Sequence, residues 1–262
     1  MFSFLSSLLG SEIVSQASTA ITLGETSIKL SKNIGKCKYV LNFLRKPLKI
    51  AVFGSSGTGK SSFLSMLKGK LYQGETSRFT EVVKYRLPNG RLLHFYDCPG
   101  QVSYREERTK IKTDILNGEF HAIINVVCYG YNETANMNLR IFDRNGNVAE
   151  GYLQENRKIE LQQLKEWIDD LYANSKIKWI LTLINKEDIW KSRIDEVTYY
   201  YSEGEYAQIM GVMNRACKVH LKSYCSKISP FGERPMMLQF SERDKINRHI
   251  EFIDNICKYI DA

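Results

Sequence analysis

The chain has 262 residues, enough for one elaborated domain or two small ones at roughly 150 residues each. Hydrophobic residues make up 43% and charged residues 25%, which is a globular composition and excludes disordered and collagen-like classes. The net charge of +8 favours an anionic partner: nucleotide, nucleic acid or acidic lipid.

In chain order, Phe2, Leu5, Leu8, Leu9, Ile13 and Ala17 recur at helical spacing and predict a short amphipathic helix. Between Glu25 and Glu75 there is no acid, while Lys29, Lys32, Lys36, Lys38, Arg45, Lys46 and Lys49 fall in that gap. An apolar helix followed by a basic segment suits peripheral attachment to an anionic membrane surface. It equally suits a helix packed on the rest of the chain or one paired with another chain. Residues 1–46 are therefore read as an N-terminal extension, and 47–262 as the main domain.

From Pro47 onward, short β-branched runs alternate with amphipathic stretches, the signature of an α/β fold: a mostly parallel sheet covered by helices on both faces. Strands are predicted at Leu48–Phe53, Glu81–Leu87, Leu92–Asp97, Ala122–Tyr129, Trp179–Ile184 and Met236–Phe240. Pro88-Asn89-Gly90 is a hairpin turn signal, so the second and third strands form one antiparallel pair. Apolar stripes predict helices through Leu161, Leu164, Ile168 and Leu171, and through Tyr206, Ile209, Met213 and Leu221. A third runs through Ile246, Ile250, Ile253, Cys257 and Ile260. Asn132–Lys158 and Trp190–Ser229 are read as insertions, being too long for simple connections.

The six cysteines form no C-x-x-C pair, and with the four histidines they show no zinc spacing, which suits a reducing, cytoplasmic setting. Met1–Gly10 lacks a basic leader segment, and no apolar run approaches the ~20 residues of a membrane span. Tyr199, Tyr200 and Tyr201 carry no interleaved basic residues, so they read as strand or core and nucleic acid is not favoured as a partner.

Strand Leu48–Phe53 runs into Gly54-Ser55-Ser56-Gly57-Thr58-Gly59-Lys60-Ser61, followed by the helical-looking Ser62–Leu67. This fits G-x-x-x-x-G-K-[ST] between a strand and a helix, the context that gives the pattern its meaning. The loop's N–H groups and the helix N-terminus face phosphate, Lys60 reaches the β and γ oxygens, and the Ser61 hydroxyl ligates Mg²⁺. A second apolar strand ends in Asp97-Cys98-Pro99-Gly100-Gln101, where Asp97 can hold Mg²⁺ through water and the Gly100 N–H can meet a γ-phosphate. A third ends in Asn185-Lys186-Glu187-Asp188. Asp188 can accept hydrogen bonds from guanine N1–H and the N2 amine while the Lys186 stem lies along the base.

These three motifs, in this order, resemble those of the small GTPase or G-domain family of P-loop proteins, over about Pro47 to Ile260. The resemblance implies binding of GTP and GDP with Mg²⁺, hydrolysis to GDP and phosphate, and a switch read by a protein effector; a switched binding module with negligible hydrolysis is the alternative. The family's last motif, often S-A-K after the final strand, matches Ser241-Glu242-Arg243 in the serine alone. The switch I threonine that closes on Mg²⁺ is either Thr80, which directly precedes a strand, or Thr76. Ser56 stands where Ras-like members carry glycine, Cys98-Pro99 resembles other branches, and Gln101 resembles the water-orienting glutamine of Ras-like members. Arg78 is read as a solvated side chain before a finger in cis.

Overall fold

A computed structural model describes residues 41–69, 81–99, 105–133, 141–144, 147–174, 176–227 and 240–261. The chain divides into two compact units, Met1–Pro47 with Arg86–Leu92 and Leu48–Tyr85 with Leu93–Ala262. In the first unit, the Leu87 N–H donates to Arg91 O and the Gly90 N–H to Leu87 O, both at 2.9 Å, closing the turn that Asn89-Gly90 predicts. Asn42 Nδ2 donates to Asn89 O at 3.1 Å, and the Arg86 guanidinium lies 4.2 Å from the Phe43 ring centroid. The predicted helix over Phe2–Ala17 and its basic sequel before Leu41 lie outside the described residues.

Apart from Arg86 and Leu92, which fall in the first unit, the second unit carries β1 (Leu48–Phe53), α1 (Lys60–Leu67), β2 (Val82–Arg86), β3 (Leu92–Asp97), α2 (Arg105–Leu116), β4 (Ala122–Val127) and α3 (Glu150–Asn174). There follow β5 (Trp179–Ile184), α4 (Glu187–Trp190), α5 (Ile194–Ser202), α6 (Glu205–Gly211), β6 (Lys218–Ser223) and α7 (Glu242–Asp261). The sheet order is β2-β3-β1-β4-β5-β6, with β1 parallel to both β3 and β4, and β4, β5 and β6 parallel in turn. β2 and β3 are the one antiparallel pair. The chain leaves β1 toward β3 on one side and returns on the other as β4. The crevice at the carboxyl ends of β1 and β4 is thus a topological switch point, where α/β sheets bind ligands.

Strand alternation puts Ala51 and Phe53 in a core with Ile111 and Ile115 of α2 and with Leu164, Trp167 and Ile168 of α3. Ile50 and Val52, fully buried, point to the opposite face. That face holds Phe63 of α1, whose ring meets Phe95 of β3, Tyr224 and Phe252 of α7 edge-on, with centroids 6.3, 5.5 and 5.2 Å away. Among the described residues no helix is long and apolar enough to cross a membrane.

Several predicted boundaries move. β4 stops at Val127 because Tyr129 and Gly130 take positive φ and turn the chain. The Trp190–Ser229 insertion is instead α5, α6 and β6: Leu221, grouped with a helical stripe, lies on a strand paired to β5 along its whole length. Met236–Gln239, predicted as the last strand, lie outside the described residues, and Phe240 belongs to no strand. Of the Asn132–Lys158 insertion, Phe142 and Val148 form an isolated antiparallel bridge, and Glu150–Lys158 are the opening turns of α3. On α7 the buried side chains are Phe252, Ile253 and Ile256, whereas Ile246 and Ile250 are 52% and 53% exposed.

His249 of α7 shares a 2.8 Å hydrogen bond with the Tyr224 hydroxyl, and its burial pulls its pKa below the usual value. His94 and His220 are lowered too, first by burial and then by neighbouring lysines. A histidine whose folded pKa is depressed stabilises the fold fully above its unfolded pKa of about 6.5 and loses that contribution as pH falls through the folded value. Tm should therefore drop between about pH 7 and pH 5. His249→Gln should flatten part of that slope in a calorimetric pH series.

Candidate functional site

The site is built at the carboxyl ends of β1, β3, β4 and β5. After β1, the loop Gly54–Gly59 leads into α1, whose N-cap is Gly59, with φ 87°. No side chain caps this helix and its first turn has no acid, so its leading N–H groups keep their partial positive charge for a ligand. The loop leaves no room for side chains at its glycines. A Cβ on Gly59 would stand 2.3 Å from Asn185 Nδ2, and one on Gly57, with φ 79°, 2.6 Å from Glu133 N. Thr58 turns inward and its hydroxyl donates to Ser55 O at 3.0 Å.

Lys60, on the first turn of α1, places its Nζ 2.6 Å from Asp97 Oδ1 at the end of β3, with the two side chains 8% and 1% exposed. A pair of charges removed from water this far is stable only while each has a partner. The site thus holds a cation and an anion side by side, the lysine aimed at the loop and the carboxylate at its rim. Ser61 and Ser62 follow on the same turn, both half-buried. Gly100, Gln101, Thr76, Arg78 and Thr80 lie outside the described residues.

The third motif is at the end of β5. Asn185, fully buried, donates from Nδ2 to Thr58 O and to Ser226 Oγ, and accepts from the Ser226 N–H, each at 2.9 Å. Lys186 takes a left-handed backbone, φ 61°, a conformation that costs a non-glycine residue about 1–3 kcal/mol and marks functional sites. Its Nζ donates to Tyr131 O at 2.7 Å and pairs with Glu133 at 3.0 Å. Asp188 lies on α4, 6% exposed, with the Cys225 thiol 3.4 Å away. Burial, and then the Asp188 carboxylate itself, push the Cys225 thiol up, so it stays protonated and donates.

The fourth predicted motif, Ser241-Glu242-Arg243, has a place of its own at the start of α7. Ser241 caps α7, its N–H and hydroxyl both 2.7 Å from Asp244 Oδ2, and Ser241 and Glu242 are exposed. The loop that reaches the site follows β6: Tyr224-Cys225-Ser226-Lys227, with Ser226 on Asn185 and Cys225 on Asp188. The signal was available, since Cys225-Ser226-Lys227 keeps the lysine of S-A-K directly after a strand. What hid it was reading that strand as part of an insertion.

Also missed was the segment after β4. Asn132, 2% exposed, donates from Nδ2 to Ser55 Oγ at 2.8 Å and Ser56 O at 2.9 Å, while Glu133 N–H donates to Gly57 O at 3.0 Å. The segment is held by α3. Glu160 accepts from the Cys128 N–H at 3.0 Å and the Tyr201 hydroxyl at 2.9 Å, Asn156 donates to Gly130 O, and the Tyr152 hydroxyl donates to Asn132 O. Burial raises the Glu160 pKa, and these donors oppose that rise.

A family model described as 50S ribosome-binding GTPase matches residues 49–215, spanning all three motifs. The chain belongs to this GTPase family. The GTPase match ends just before β6, so the closing loop is placed by the structure alone. No curated protein sequence matches the chain significantly. Among solved structures, the mammalian SRP receptor matches with TM-score 0.46 and 17% identity over 69% of this chain and 92% of that one. Bacterial selenocysteine-specific elongation factor EF-Sec matches with TM-score 0.41 and 13% identity over 79% of this chain and 29% of that one. The Arl6 BBS3 small GTPase from Trypanosoma brucei, with bound nucleotide analogue GppNp, matches with TM-score 0.42 and 13% identity over 72% and 92%.

Within this GTPase domain the close approach at Gly57 can be tested. Gly69→Ala meets nothing within 4 Å and carries only the cost of its positive φ. Gly57→Ala adds a backbone clash, so it should lower unfolding free energy by about 1–3 kcal/mol and by more than Gly69→Ala, in denaturant titrations.

Proposed function

We propose that the chain binds GTP with Mg²⁺, hydrolyses it to GDP and phosphate, and so acts as a nucleotide-dependent switch. The observation that carries this reading is the buried Lys60–Asp97 pair at the uncapped N-terminus of α1. Phosphate oxygens offer Lys60 and the loop N–H groups a partner of higher charge, releasing Asp97 toward a cation. The residues fit a hard cation: the Ser61 hydroxyl and the Asp97 carboxylate are oxygen donors, and phosphate oxygens with the hydroxyl of Thr80, or of Thr76, would complete the set. Among the described residues no cluster of three His, Cys, Asp or Glu side chains forms a separate metal site. Mg²⁺, when bound, supplies neutralising charge to the β and γ oxygens.

Each residue then has one task. Lys60 and the N–H groups of Gly54–Ser61 stabilise charge that develops on the transferred phosphoryl group. Gln101 orients the attacking water. Asp188 accepts from N1–H and the N2 amine of guanine, with the Cys225 thiol holding its other side. Adenine offers neither donor there, and a buried carboxylate left unpaired by the wrong base is costly.

The family match beginning at residue 49 supports treating 1–46 as an extension outside the GTPase domain. We read that extension as a weak, reversible contact of a cytoplasmic protein with anionic membrane, supported by the run of basic residues without an acid from Glu25 to Glu75. Flotation with anionic liposomes at low salt should carry the full chain and leave a chain beginning at Arg45 behind. Equal behaviour of the two would assign the extension to packing or to a protein partner.

Binding of fluorescent GDP, GTP and ATP with Mg²⁺ tests the site; ATP bound as tightly as GTP would remove the guanine assignment. Lys60→Ala should weaken GTP at least about tenfold, or 1.4 kcal/mol. Because it leaves Asp97 buried without its lysine, Ser61→Ala, outside the ion pair, serves as the second variant and should lose Mg²⁺-dependent affinity. Single-turnover phosphate release abolished by Gln101→Ala supports hydrolysis. No release over hours makes the protein a switched binding module.

A further inference from the structure

The middle residue of the third motif, Glu187, is fully buried, and its carboxylate faces α7. Arg248 grips it with two hydrogen bonds, Nε to Oε2 at 2.5 Å and Nη2 to Oε1 at 2.6 Å. The remaining Arg248 nitrogen, Nη1, donates to Glu251 at 2.9 Å. A two-pronged guanidinium–carboxylate pair fixes the plane of both groups as well as their separation.

Glu187 adjoins Asp188 on α4, a helix of one turn. One turn has no cooperative stability of its own, so tertiary contacts set its direction. It begins at the left-handed Lys186, is closed by Trp190 Nε1 donating to Asn185 O at 2.7 Å, and has the Glu187 N–H donating to Tyr224 O at 3.1 Å. The Arg248 fork is the charged member of this set, and it comes from a different helix. Rotating the turn to swing the Asp188 carboxylate away from a base would drag Glu187 out of the fork and leave a fully buried charge unpaired.

We infer that Arg248 is a specificity-positioning residue. Through Glu187 it holds α4 in the orientation that aims Asp188 at the base, so that discrimination of guanine depends on α7. The inference rests on the reading of Asp188 as the base acceptor. The Arg248 guanidinium binds Glu187 and Glu251 and lies on the base side of the site, so its effect belongs in base selection and leaves phosphate affinity alone.

The measurement is the ratio of Kd for IDP to Kd for GDP, in the full chain with Mg²⁺. Hypoxanthine keeps N1–H and O6 and lacks the N2 amine, so the ratio reads a hydrogen bond to Asp188 and is insensitive to a general loss of folded protein. Arg248→Met should lower the ratio about tenfold, and Arg248→Lys, which keeps the charge without the fork, about threefold. In Arg248→Lys the helix stays docked through His249 on Tyr224 and Phe252 on Phe63, so this variant decides the matter if Arg248→Met does not fold. A wild-type ratio in the folded variants overturns the inference while leaving the guanine site intact. A ratio near one in the wild-type protein overturns the base assignment itself, and this inference with it.

Discussion

The carboxamide of Asn185 is the tie on which the site depends. Fully buried at the end of β5, it joins the carbonyl of Thr58 in the phosphate loop to both the N–H and the hydroxyl of Ser226 after β6. Three segments far apart in sequence thereby meet at one planar group with both donor protons and its acceptor engaged. A buried amide satisfied this fully is rigid, since any displacement leaves a polar atom without a partner in a low dielectric. The constraint reaches back into the sequence. Gly59 has no room for a Cβ because Asn185 Nδ2 occupies the space, so the glycine that opens α1 answers to a residue at the end of β5.

Around this tie lies a second layer with its own buried charge. Glu160 of α3 accepts the N–H of Cys128 and the hydroxyl of Tyr201, and Tyr201 in turn accepts the N–H of Tyr129 at 2.8 Å. Burial raises the Glu160 pKa against donors that also pin the turn after β4. From that turn Asn132 bridges Ser55 and Ser56, Glu133 meets Gly57 O, and Lys186 returns to Tyr131 and Glu133. The phosphate loop is thus held from the β5 side by Asn185 and from the β4 side by Asn132. Neither contact uses the leading N–H groups of α1, which stay directed at a ligand.

What the sequence made legible follows how local each signal is. β1 and β5 fall on their predicted residues because they are central strands whose apolar runs leave little doubt about extent, and β3 because its buried residues alternate between the Asn89-Gly90 turn and Pro99. The phosphate loop reads clearly because glycine spacing is dictated by backbone geometry within eight residues. β6 did not read. Lys218, His220 and Lys222 interrupt its apolar residues, as befits a half-exposed edge, and only the register Trp179↔Lys218 to Ile184↔Ser223 makes it a strand. Without β6, the sequence points to Ser241 for the closing loop, and Ser226, which binds Asn185, then carries no signal. Asn132 and Glu133 carried no signal at all, since an Asn-Glu pair after a strand is an ordinary polar turn until the phosphate loop is folded against it.

α7 shows the same principle on a helix. Periodicity alone picks Ile246, Ile250, Ile253, Cys257 and Ile260 as one stripe, yet the helix buries Phe252, Ile253 and Ile256 and leaves Ile246 and Ile250 exposed. The polar anchors explain the difference. Arg248, four residues before Phe252, faces Glu187, and His249, four before Ile253, faces Tyr224, so polar side chains make the contacts of the helix's first half and its apolar contacts begin at Phe252. Each of these isoleucines, about half exposed, gives up roughly half of the about 1.5–3 kcal/mol that full burial brings. A bidentate pair on a buried carboxylate outweighs that, because breaking it strands a charge at a cost of about 3–5 kcal/mol. The same helix reaches the phosphate end through Phe252 on Phe63 and the base end through Arg248 on Glu187. α7 accordingly joins the Asn185 tie in fixing the two ends of the site relative to each other.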